Sequence, residues 1–548
     1  MSGADMIPDH DAIVIGAGVT GIYQTYLLDK ESFDVLGVET APDVGGTWYW
    51  NRYPGCRLDT ESYAYGYFAL NGILPDWKWS ENFAGQPEML RYVNAAADAM
   101  DVRKHFRFET RVLSAHYQDD SNLWRVTLED ADGIETLHCR FLISATGPLS
   151  ATLMPDINGI DTFAGTSFHS SRWPTDADGR PVKTDFSGKR VGVIGTGATG
   201  VQIIPIAAET ADELYVFQRT PNWCTPLGNS PLSEEEMEMI RTRFPAILDY
   251  VKTTDTAFPY HRDKRKASEV SPEEREAFFE KLYDEPGYGI WLGAFRDLLL
   301  SKESNGYLAD FVANKIRSRV NDPEVAEKLI PTDHPFGAKR VPMETGYYET
   351  FNQPNVHLVD VKADPIKAVT PTGITTEEAS IDLDVIVYAT GFDGVTGSLD
   401  RMDIRGRGGQ LLKETWAEGP STFLGLQARG FPNFYTLVGP HNGSAFCNVG
   451  VCGALQAEWV TNMITYMRQG GYTVSEPSRA AEDEWTESIY ADFARTLMAE
   501  TNAWWVRTSV RPDGTIVRRT LVYVGGGPEY RKRCAQVAYA GYEGFELS

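Results

Sequence analysis

The sequence is short of cysteine, and its few cysteines show no pattern of metal binding or redox exchange. The six residues are Cys56, Cys139, Cys224, Cys447, Cys452 and Cys534. None of them forms a Cys-x-x-Cys pair, so the spacing predicts no zinc knuckle, no other metal site and no disulfide framework. The missing pair also excludes the flavin-dependent disulfide reductases, which need a redox dithiol.

Basic charge and long apolar runs are scarce as well. Lys and Arg total 51 against 76 Asp and Glu, and the formal net charge of −25 predicts no nucleic-acid partner, because a phosphate backbone would be repelled. No segment holds about 18 uninterrupted apolar residues, so no membrane span is expected. The first residues lack the basic start and apolar run of a signal peptide, which makes a cytoplasmic location the default expectation.

The chain does have the composition of a folded protein with more than one domain. Hydrophobic residues make up 42% of it and aromatic residues 12%, which is typical of globular proteins. A domain usually holds roughly 100–200 residues. The length of 548 residues therefore predicts two or three domains.

The first motif is a glycine loop that follows a predicted strand and opens a predicted helix, Gly16-Ala-Gly18-Val-Thr-Gly21. Glycines in such a loop allow the tight turn, the approach of a pyrophosphate to backbone N–H groups and close helix packing. The next predicted strand, 34–38, ends at Glu39, 18 residues after Gly21. A carboxylate at this distance suits the hydroxyls of an unmodified adenosine ribose.

The chain contains a second loop of the same kind, formed by Gly195, Thr196, Gly197 and Gly200. The strand that follows it ends in Gln218-Arg219-Thr220, without a carboxylate. Arg219 and Thr220 suit a 2′-phosphate and favour NADPH over NADH; the alternative is that Arg219 is a solvated cation at a strand end. Pro205 lies inside the predicted helix beyond its first turn, where it would bend the helix without affecting phosphate binding.

Two further runs carry a family resemblance: Gly46-x-Trp48-x-x-x-x-Tyr53-Pro54-Gly55-x-x-x-Asp59 and Phe163-x-Gly165-x-x-x-His169-x-x-x-Trp173-Pro174. Together with the two loops they resemble the type I Baeyer–Villiger monooxygenases, over nearly the whole chain. The resemblance implies an enzyme that uses FAD, NADPH and O2 to insert one oxygen atom beside the carbonyl of a cyclic ketone. A C4a-peroxyflavin would attack the ketone, and the product would be a lactone or an ester.

The expected fold is α/β, with two Rossmann-like dinucleotide-binding domains and a helical insertion in the NADP domain. Two predicted strands run into Ala-Thr-Gly, at 145–147 and 389–391, and these exits suggest where the chain passes between domains. The predicted division is a discontinuous FAD-binding domain at 1–148 and 388–548, an NADP-binding domain at 149–387, and a mainly helical cap at about 230–330.

By the resemblance, Arg340 is the catalytic arginine and Asp59 is the carboxylate that orients it. A guanidinium keeps its charge at neutral pH, so it suits the stabilisation of a peroxide anion and then of the tetrahedral Criegee adduct. The alternative is that Lys339 and Arg340 are an ordinary solvated charge pair. The resemblance implies further contacts to the cofactors by Thr47, Trp48, Tyr65, Val112, Lys339 and Trp504, and a substrate pocket that includes Ser444, Ala445 and Phe446.

Other candidates have plain structural alternatives. His169 has the chemistry of a general base, but a positional role that bonds the backbone at the domain linker suits this reaction better. Trp173, Tyr65 and Trp505 are equally explained as core residues. The basic run 261–266 is either a solvated face or a contact for the phosphates of an acyl-CoA thioester.

Three other functions remain open. A flavin-containing N- or S-monooxygenase uses the same two loops, but Trp173-Pro174, Asp59 and Arg340 favour ketone chemistry. A redox-sensing protein would hold both cofactors without turnover, and a scaffold would leave two nucleotide loops without a purpose. The nearest family members suggest a homodimer.

Overall fold

The structure is a computed structural model, and it describes residues 7–176, 181–182, 185–442 and 447–548. Its strands, in chain order, are β1 (His10–Ile15), β2 (Val35–Val38), β3 (Phe106–Arg107), β4 (Arg111–Gln118), β5 (Leu123–Asp130), β6 (Gly133–Ser144), β7 (Thr166–His169), β8 (Arg190–Ile194), β9 (Glu213–Gln218), β10 (Thr225–Pro226), β11 (Met343–Glu344), β12 (Val356–Asp360), β13 (Ile366–Thr370), β14 (Gly373–Thr376), β15 (Ser380–Asp382), β16 (Val385–Tyr388), β17 (Asp403–Arg405), β18 (Phe434–Thr436), β19 (Ser475–Pro477), β20 (Val506–Val510), β21 (Ile516–Thr520) and β22 (Phe545–Leu547).

The α-helices of the same residues are α1 (Val19–Lys30), α2 (Thr47–Trp50), α3 (Ser62–Tyr65), α4 (Tyr67–Leu70), α5 (Gln86–Ala99), α6 (Ala198–Thr210), α7 (Glu234–Arg241), α8 (Phe244–Thr253), α9 (Pro272–Asp284), α10 (Gly289–Leu292), α11 (Lys302–Arg319), α12 (Pro323–Leu329), α13 (Tyr347–Thr350), α14 (Gly397–Asp400), α15 (Leu412–Thr415), α16 (Val449–Gly470), α17 (Arg479–Ala494) and α18 (Gly527–Tyr539). Helices α7 to α12 fall in the segment for which helices were predicted.

The first sheet combines strands from both ends of the chain, in the order β17-β4-β5-β6-β1-β2-β3, with β18 also paired to β6. Strand β1 lies parallel to β2 and to the second half of β6, while the first half of β6 pairs with β5 in antiparallel fashion. Ile13 and Val14 in the middle of β1 are fully buried on opposite faces of the sheet. Val14 belongs to the cluster that includes α1 and α16, and Ile13 to a cluster made largely by side chains of the sheet itself. Helix α1 connects β1 to β2, so the glycine loop lies at the carboxyl end of β1.

The second sheet has the order β12-β9-β8-β16-β7, and all its strand pairs are parallel. Helix α6 follows β8 just as α1 follows β1, and it continues through Pro205 to Thr210. Each sheet therefore contains one strand–glycine loop–helix–strand unit, and the predicted α/β fold with two Rossmann-like units is confirmed. Across the described parts of the chain, every helix is too short or too polar to cross a bilayer.

One disulfide corrects the sequence analysis. Cys447 and Cys452 are joined at the beginning of α16, where the cysteine spacing had predicted no disulfide. Their Cα atoms lie 6.2 Å apart, inside the range of roughly 4.4–6.8 Å that a disulfide spans. Cys447 precedes the helix and Cys452 lies in its first turn, so the turn itself brings together two residues that are not a Cys-x-x-Cys pair.

Candidate functional site

The first glycine loop needs glycine for steric reasons at two positions. Gly16 has φ 110°, and a Cβ there would lie 2.6 Å from the carbonyl oxygen of Ala145. A Cβ on Gly21 would lie 1.9 Å from the Gly16 oxygen, so the helix could not pack this closely on the turn. Gly18 is different, because the nearest atom to its Cβ position is the Cα of Gly46 at 3.6 Å. The Gly46–Asp59 motif thus approaches the loop and leaves room beside Gly18.

A cavity of about 400 Å³ opens at this loop. Its lining includes seven residues that the sequence analysis assigned to the flavin: Gly16, Gly18, Glu39, Thr47, Trp48, Tyr65 and Val112. The Glu39 carboxylate, only 7% exposed, accepts hydrogen bonds from the backbone N–H of Ala17 and of Ala41, both at 2.8 Å. This carboxylate is fixed beside the loop, as binding of a ribose requires. Cavity, loop and carboxylate together fit FAD.

Trp48 and Tyr65 form one wall of the cavity. The indole N–H of Trp48 donates to the Tyr65 hydroxyl at 3.3 Å, and the two rings meet edge to face with centroids 6.0 Å apart. Burial raises the pKa of Tyr65, so its hydroxyl stays protonated. Tyr65 therefore lines the cavity, and the interpretation of it as a plain core residue is less well supported.

The second glycine loop repeats the geometry of the first. Gly195 has φ 109°, and its Cβ position is 2.5 Å from the Ala389 oxygen, as that of Gly16 is close to Ala145. A Cβ on Gly200 would lie 2.2 Å from the Gly195 oxygen, whereas one on Gly197 would meet no atom within 4 Å. The hydroxyl of Thr196 donates to the Thr220 carbonyl at 3.2 Å and ties the loop to the end of β9. The open space at Gly197 fits the approach of a second pyrophosphate.

The Ala-Thr-Gly repeats have a function that the sequence did not reveal. Ala145 and Ala389 each lie beneath the first glycine of one loop, and their carbonyl oxygens leave no room for a side chain there. The repeated tripeptides are thus part of both nucleotide loops, in addition to being the exits from the sheets. The occurrence of the same tripeptide after two strands was the only feature of the sequence that could have indicated this shared packing role.

Arg219, at the end of β9, is exposed, and Lys339 is half-buried. Neither has an ion pair with a carboxylate among the described residues. Burial lowers the pKa of Lys339, Asp333 raises it, and the charge of Arg219 is close enough to lower it further. Two cations without carboxylate partners, held near one another beside the second loop, fit the 2′-phosphate of NADPH.

Arg340 and Asp59 meet although 281 residues separate them. The Arg340 Nη2 donates to Asp59 Oδ2 at 2.5 Å, and the Asp59 side chain is 4% exposed while that of Arg340 is 38% exposed. Tyr288 and Asp59 raise the pKa of Arg340 further above its ordinary value, against the opposing effect of burial. The guanidinium therefore keeps its charge throughout the pH range of a protein. A buried carboxylate beneath a partly exposed arginine is unlike a solvated charge pair.

Sequence reasoning missed three side chains around this pair. The Tyr288 hydroxyl donates to Asp59 Oδ2 at 2.8 Å and accepts from Arg340 Nε at 3.4 Å. Gln202 Nε2 lies 3.4 Å from Asp59 Oδ1, and its Oε1 accepts from the Tyr53 hydroxyl at 2.9 Å. Tyr53 belongs to the recognised motif and Gln202 follows the second loop, but Tyr288 lies in the helical segment without any motif. Only the fold brings them together.

The linker motif surrounds His169. Its Nε2 is 3.0 Å from the Gly391 carbonyl oxygen, and its Nδ1 accepts from the backbone N–H of Ser171 at 3.2 Å. Burial lowers the pKa of His169, so the ring is neutral at pH 7 and donates through Nε2. Gly391 ends the second Ala-Thr-Gly exit. This geometry fits the positional role and not proton abstraction.

The other motif residues are structural in this arrangement. The buried Trp173 ring packs edge to face on Phe168 with centroids 4.8 Å apart. Gly165 has no room for a side chain, because its Cβ position is 2.6 Å from the Asp384 oxygen and equally close to the ring of Phe163. The Pro174 oxygen accepts from the backbone N–H of Val182 at 2.9 Å.

Of the C-terminal candidates, the structure describes the tryptophans. Trp505 is fully buried, and half-buried Trp504 packs on the same cluster as Ala338, directly before Lys339 and Arg340. Trp504 thus lies beside the catalytic candidates, while Trp505 is a core residue. Ser444, Ala445 and Phe446 lie outside the described residues. Within the described residues, no group of His, Cys, Asp and Glu side chains is arranged to hold a metal ion.

Comparison with known proteins identifies the family. The sequence model of the flavin-binding monooxygenase-like family matches residues 10–256. The chain is 72% identical to the 2-oxo-Δ3-4,5,5-trimethylcyclopentenylacetyl-CoA monooxygenase of Pseudomonas putida over 100% of both chains, and 38% identical to the cyclohexanone 1,2-monooxygenase of Acinetobacter sp. over 98% of this chain and 97% of that one. A crystal structure of OTEMO in complex with FAD and NADP has a TM-score of 0.96 and 72% identity, covering 99% of this chain and 100% of that chain. The chain therefore belongs to the type I Baeyer–Villiger monooxygenases, the FAD- and NADPH-dependent enzymes that convert ketones into esters or lactones.

Proposed function

We propose that this monooxygenase acts on a cyclic ketone that carries a coenzyme A thioester, and that it converts the ketone into a lactone at Arg340. The observation that carries the ketone chemistry is the contact between Arg340 and Asp59, 2.5 Å long. Asp59 also meets Gln202 of α6. Burial raises the pKa of Tyr65 in the flavin cavity, and the charge of Arg340 is close enough to oppose that rise. The thioester is supported by the 72% identity to a Pseudomonas putida enzyme whose name states an acyl-CoA substrate.

The cofactors are FAD and NADPH, and when bound they supply the reducing equivalents and the activation of O2. The residues that would hold FAD are Gly16, Gly18, Gly21, Glu39, Thr47, Trp48, Tyr65 and Val112. Those that would hold NADPH are Gly195, Thr196, Gly197, Gly200, Arg219, Thr220, Lys339 and Trp504. The protein's own contribution is binding, orientation and the exclusion of water.

Arg340 is the catalytic residue of this proposal. Its fixed positive charge stabilises the negative charge on the oxygen atom being transferred and then on the tetrahedral adduct with the ketone. Asp59 and Tyr288 are positioning residues. Asp59 accepts a hydrogen bond from Nη2 of the guanidinium, Tyr288 accepts one from Nε, and the two residues bond each other. Oxygen transfer to a ketone needs no proton from the ketone, so no side chain has to act as a base.

The test is product analysis of the purified flavoprotein with NADPH and O2. Cyclic ketones, their CoA thioesters, a tertiary amine and a sulfide are each supplied, and lactone, N-oxide, sulfoxide and hydrogen peroxide are measured. Ketone-dependent NADPH oxidation with one lactone per NADPH is expected. Oxygenation of the amine or sulfide without lactone would replace the proposal with N- or S-oxygenation. Cofactor binding without turnover would identify a redox-sensing protein.

The domain boundaries, the location and the assembly belong to the same proposal. A discontinuous FAD-binding domain at 1–148 and 388–548 and an NADP-binding domain at 149–387 are supported by the membership of the two sheets. We expect a homodimer in the cytoplasm. Light scattering coupled to size-exclusion chromatography measures the mass against 61.0 kDa for one chain, and a monomeric mass would contradict the dimer.

A further inference from the structure

A second and larger cavity lies outside the flavin site. Its volume is about 670 Å³, and it shares no lining residue with the flavin cavity. It is bounded by α16, α18 and the end of α17 with the residues that follow it. Its apolar walls include Leu299, Leu455, Trp459 and Met498. The volume falls in the range of roughly 300–1,000 Å³ that is typical of small-molecule sites.

This cavity is separated from the flavin site by a thin partition at the beginning of α16. Val449 lines the flavin cavity, and Cys452, one turn further, lines the second one. Gln456 lines the second cavity and accepts from the backbone N–H of Val438, a flavin-cavity residue, at 2.7 Å. A ligand in the second cavity is therefore separated from the flavin cavity by the first turns of α16.

Two arginines of the lining have no partner in the described structure. Arg262 and Arg531 make no ion pair and no side-chain hydrogen bond within it, although the chain has a net charge of −25. Both are half-buried. Burial also lowers the pKa of Arg531, since no carboxylate compensates the loss of hydration. Guanidinium groups without a partner on a cavity wall can bind an anion such as a phosphate.

The carboxylates of the lining do not neutralise these arginines. Glu458 accepts from the hydroxyls of Tyr23 and Tyr67, at 3.0 and 2.5 Å. Asp492 pairs with Arg495 at 3.2 Å. Asp255 is exposed and also lines the cavity, so it is the acid that competes with a bound anion. The arrangement is an apolar chamber in which, among the described residues, two cations and the exposed acid Asp255 have no charged partner.

We propose that this cavity receives the coenzyme A part of the substrate, with the pantetheine arm along the apolar walls and the phosphates on Arg262 and Arg531. The inference rests on the proposed function, because the thioester must place its ketone on the flavin side of the partition. Coenzyme A combines a long, uncharged arm with phosphate groups, which matches this combination of walls and cations. Binding of a coenzyme A phosphate would also give a role to Arg262 of the basic run 261–266.

The test compares Arg262→Ala, Arg531→Ala and the double variant with two controls. Lys264→Ala removes an exposed cation of the same basic run that does not line the cavity, and Arg495→Ala removes a lining cation that is already paired. Calorimetry with coenzyme A alone should give a dissociation constant raised about ten- to hundredfold in each single variant. KM for a ketone thioester should rise equally, while KM and kcat for the ketone without coenzyme A stay unchanged, which also reports intact folding.

The outcomes separate this inference from the proposed function. If the parent enzyme oxygenates free ketones and the variants bind coenzyme A as the parent does, the cavity is not the coenzyme A site. If no ketone is oxygenated but coenzyme A binding depends on Arg262 and Arg531, the proposed function fails and the site stands. Equal losses in the two controls would also overturn the assignment, because a general loss of positive charge would then explain the effect. Arg531→Lys, which keeps the charge, should bind between parent and Arg531→Ala.

Discussion

At the scale of single residues, Arg340 is the side chain whose charge the reaction depends on. Arg340→Ala should abolish lactone formation while NADPH oxidation continues, with oxygen released as hydrogen peroxide. Loss of one preorganised donor to a developing oxyanion lowers turnover by about 10²–10³, and loss of a full charge lowers it at least as much. The measurement is the ratio of lactone to hydrogen peroxide per NADPH.

Arg340→Lys is the matched control, since it keeps the charge but loses the planar fork that bonds Asp59 and Tyr288 together. It should recover only part of the activity. A parental lactone yield in Arg340→Ala would remove this arginine from the mechanism.

Tyr288 is a positioning residue, and Tyr288→Phe should therefore have a smaller effect. The substitution keeps the buried ring and removes the hydroxyl that bonds Asp59 at 2.8 Å. One such hydrogen bond is worth roughly 1.5–3 kcal/mol, so we expect about a ten- to hundredfold lower ratio of lactone to hydrogen peroxide, with KM for NADPH unchanged. Asp59→Ala should fall between Tyr288→Phe and Arg340→Ala.

The control for Tyr288→Phe is Tyr283→Phe, a nearby tyrosine whose hydroxyl bonds Arg319 instead. Both variants lose one hydroxyl from the same helical segment. Equal uncoupling in the two would mean that the effect is on the segment as a whole and not on Arg340.

Arg219 decides between the two nicotinamide cofactors. Arg219→Ala should raise KM for NADPH about ten- to hundredfold and leave KM for NADH nearly unchanged, because only NADPH carries the 2′-phosphate. Lys189→Ala is the control, an exposed cation before β8 at the opposite end of the same sheet. Equal changes for both cofactors would contradict the assignment of Arg219 to the phosphate.

At the scale of elements, the second strand–loop–helix unit allows packing and binding to be separated. A methyl group on Gly200 would lie 2.2 Å from a backbone oxygen, whereas one on Gly197 would meet no atom within 4 Å. Overpacking by this methyl group should lower the free energy of unfolding of Gly200→Ala by about 1–3 kcal/mol, and Tm should fall with it. Gly197→Ala should keep Tm and raise KM for NADPH, because its methyl group occupies the place of the pyrophosphate.

Thermal unfolding and NADPH kinetics of the two variants are compared directly, and each is the control for the other. If Gly197→Ala loses stability without losing affinity for NADPH, the loop is a structural turn and not a phosphate site.

At the scale of the whole molecule, the sequence predicted what depends on local order and missed what depends on contacts between distant segments. Both glycine loops follow from strand, turn and helix in the right order. The approach of Asp59 to Arg340 was implied by family resemblance alone. Tyr288 and the chamber behind α16 arise where separate helices meet, and no local pattern in the chain marks them. The Cys447–Cys452 disulfide depends on where α16 begins.

One of the contacts between the predicted NADP-binding segment and the predicted FAD-binding segment is the hydrogen bond from His169 to Gly391, 3.0 Å long. It ties the end of β7 to the chain that leaves β16, its neighbour in the second sheet. His169→Ala should leave the FAD content near the parental value, and KM for NADPH should change little, because His169 bonds Gly391 and not Ala389, the residue beneath Gly195. The lactone yield per NADPH should fall, because one of the contacts that fix the two segments relative to each other would be lost.

The pH profile separates this positional role from a role in proton transfer. Because burial lowers the pKa of His169, the ring is neutral above its ordinary value of about 6.5. Protonation at lower pH would remove the Nδ1 acceptor for the Ser171 N–H, while Nε2 would still donate to Gly391. Above that ordinary value, His169→Ala should show the same pH profile as the parent at a lower level. His357→Ala, which removes a surface histidine of the same sheet paired with Glu213, is the control and should keep the full yield. Loss of an apparent pKa from the profile of His169→Ala would mean that this histidine transfers a proton, and the positional role would then be wrong.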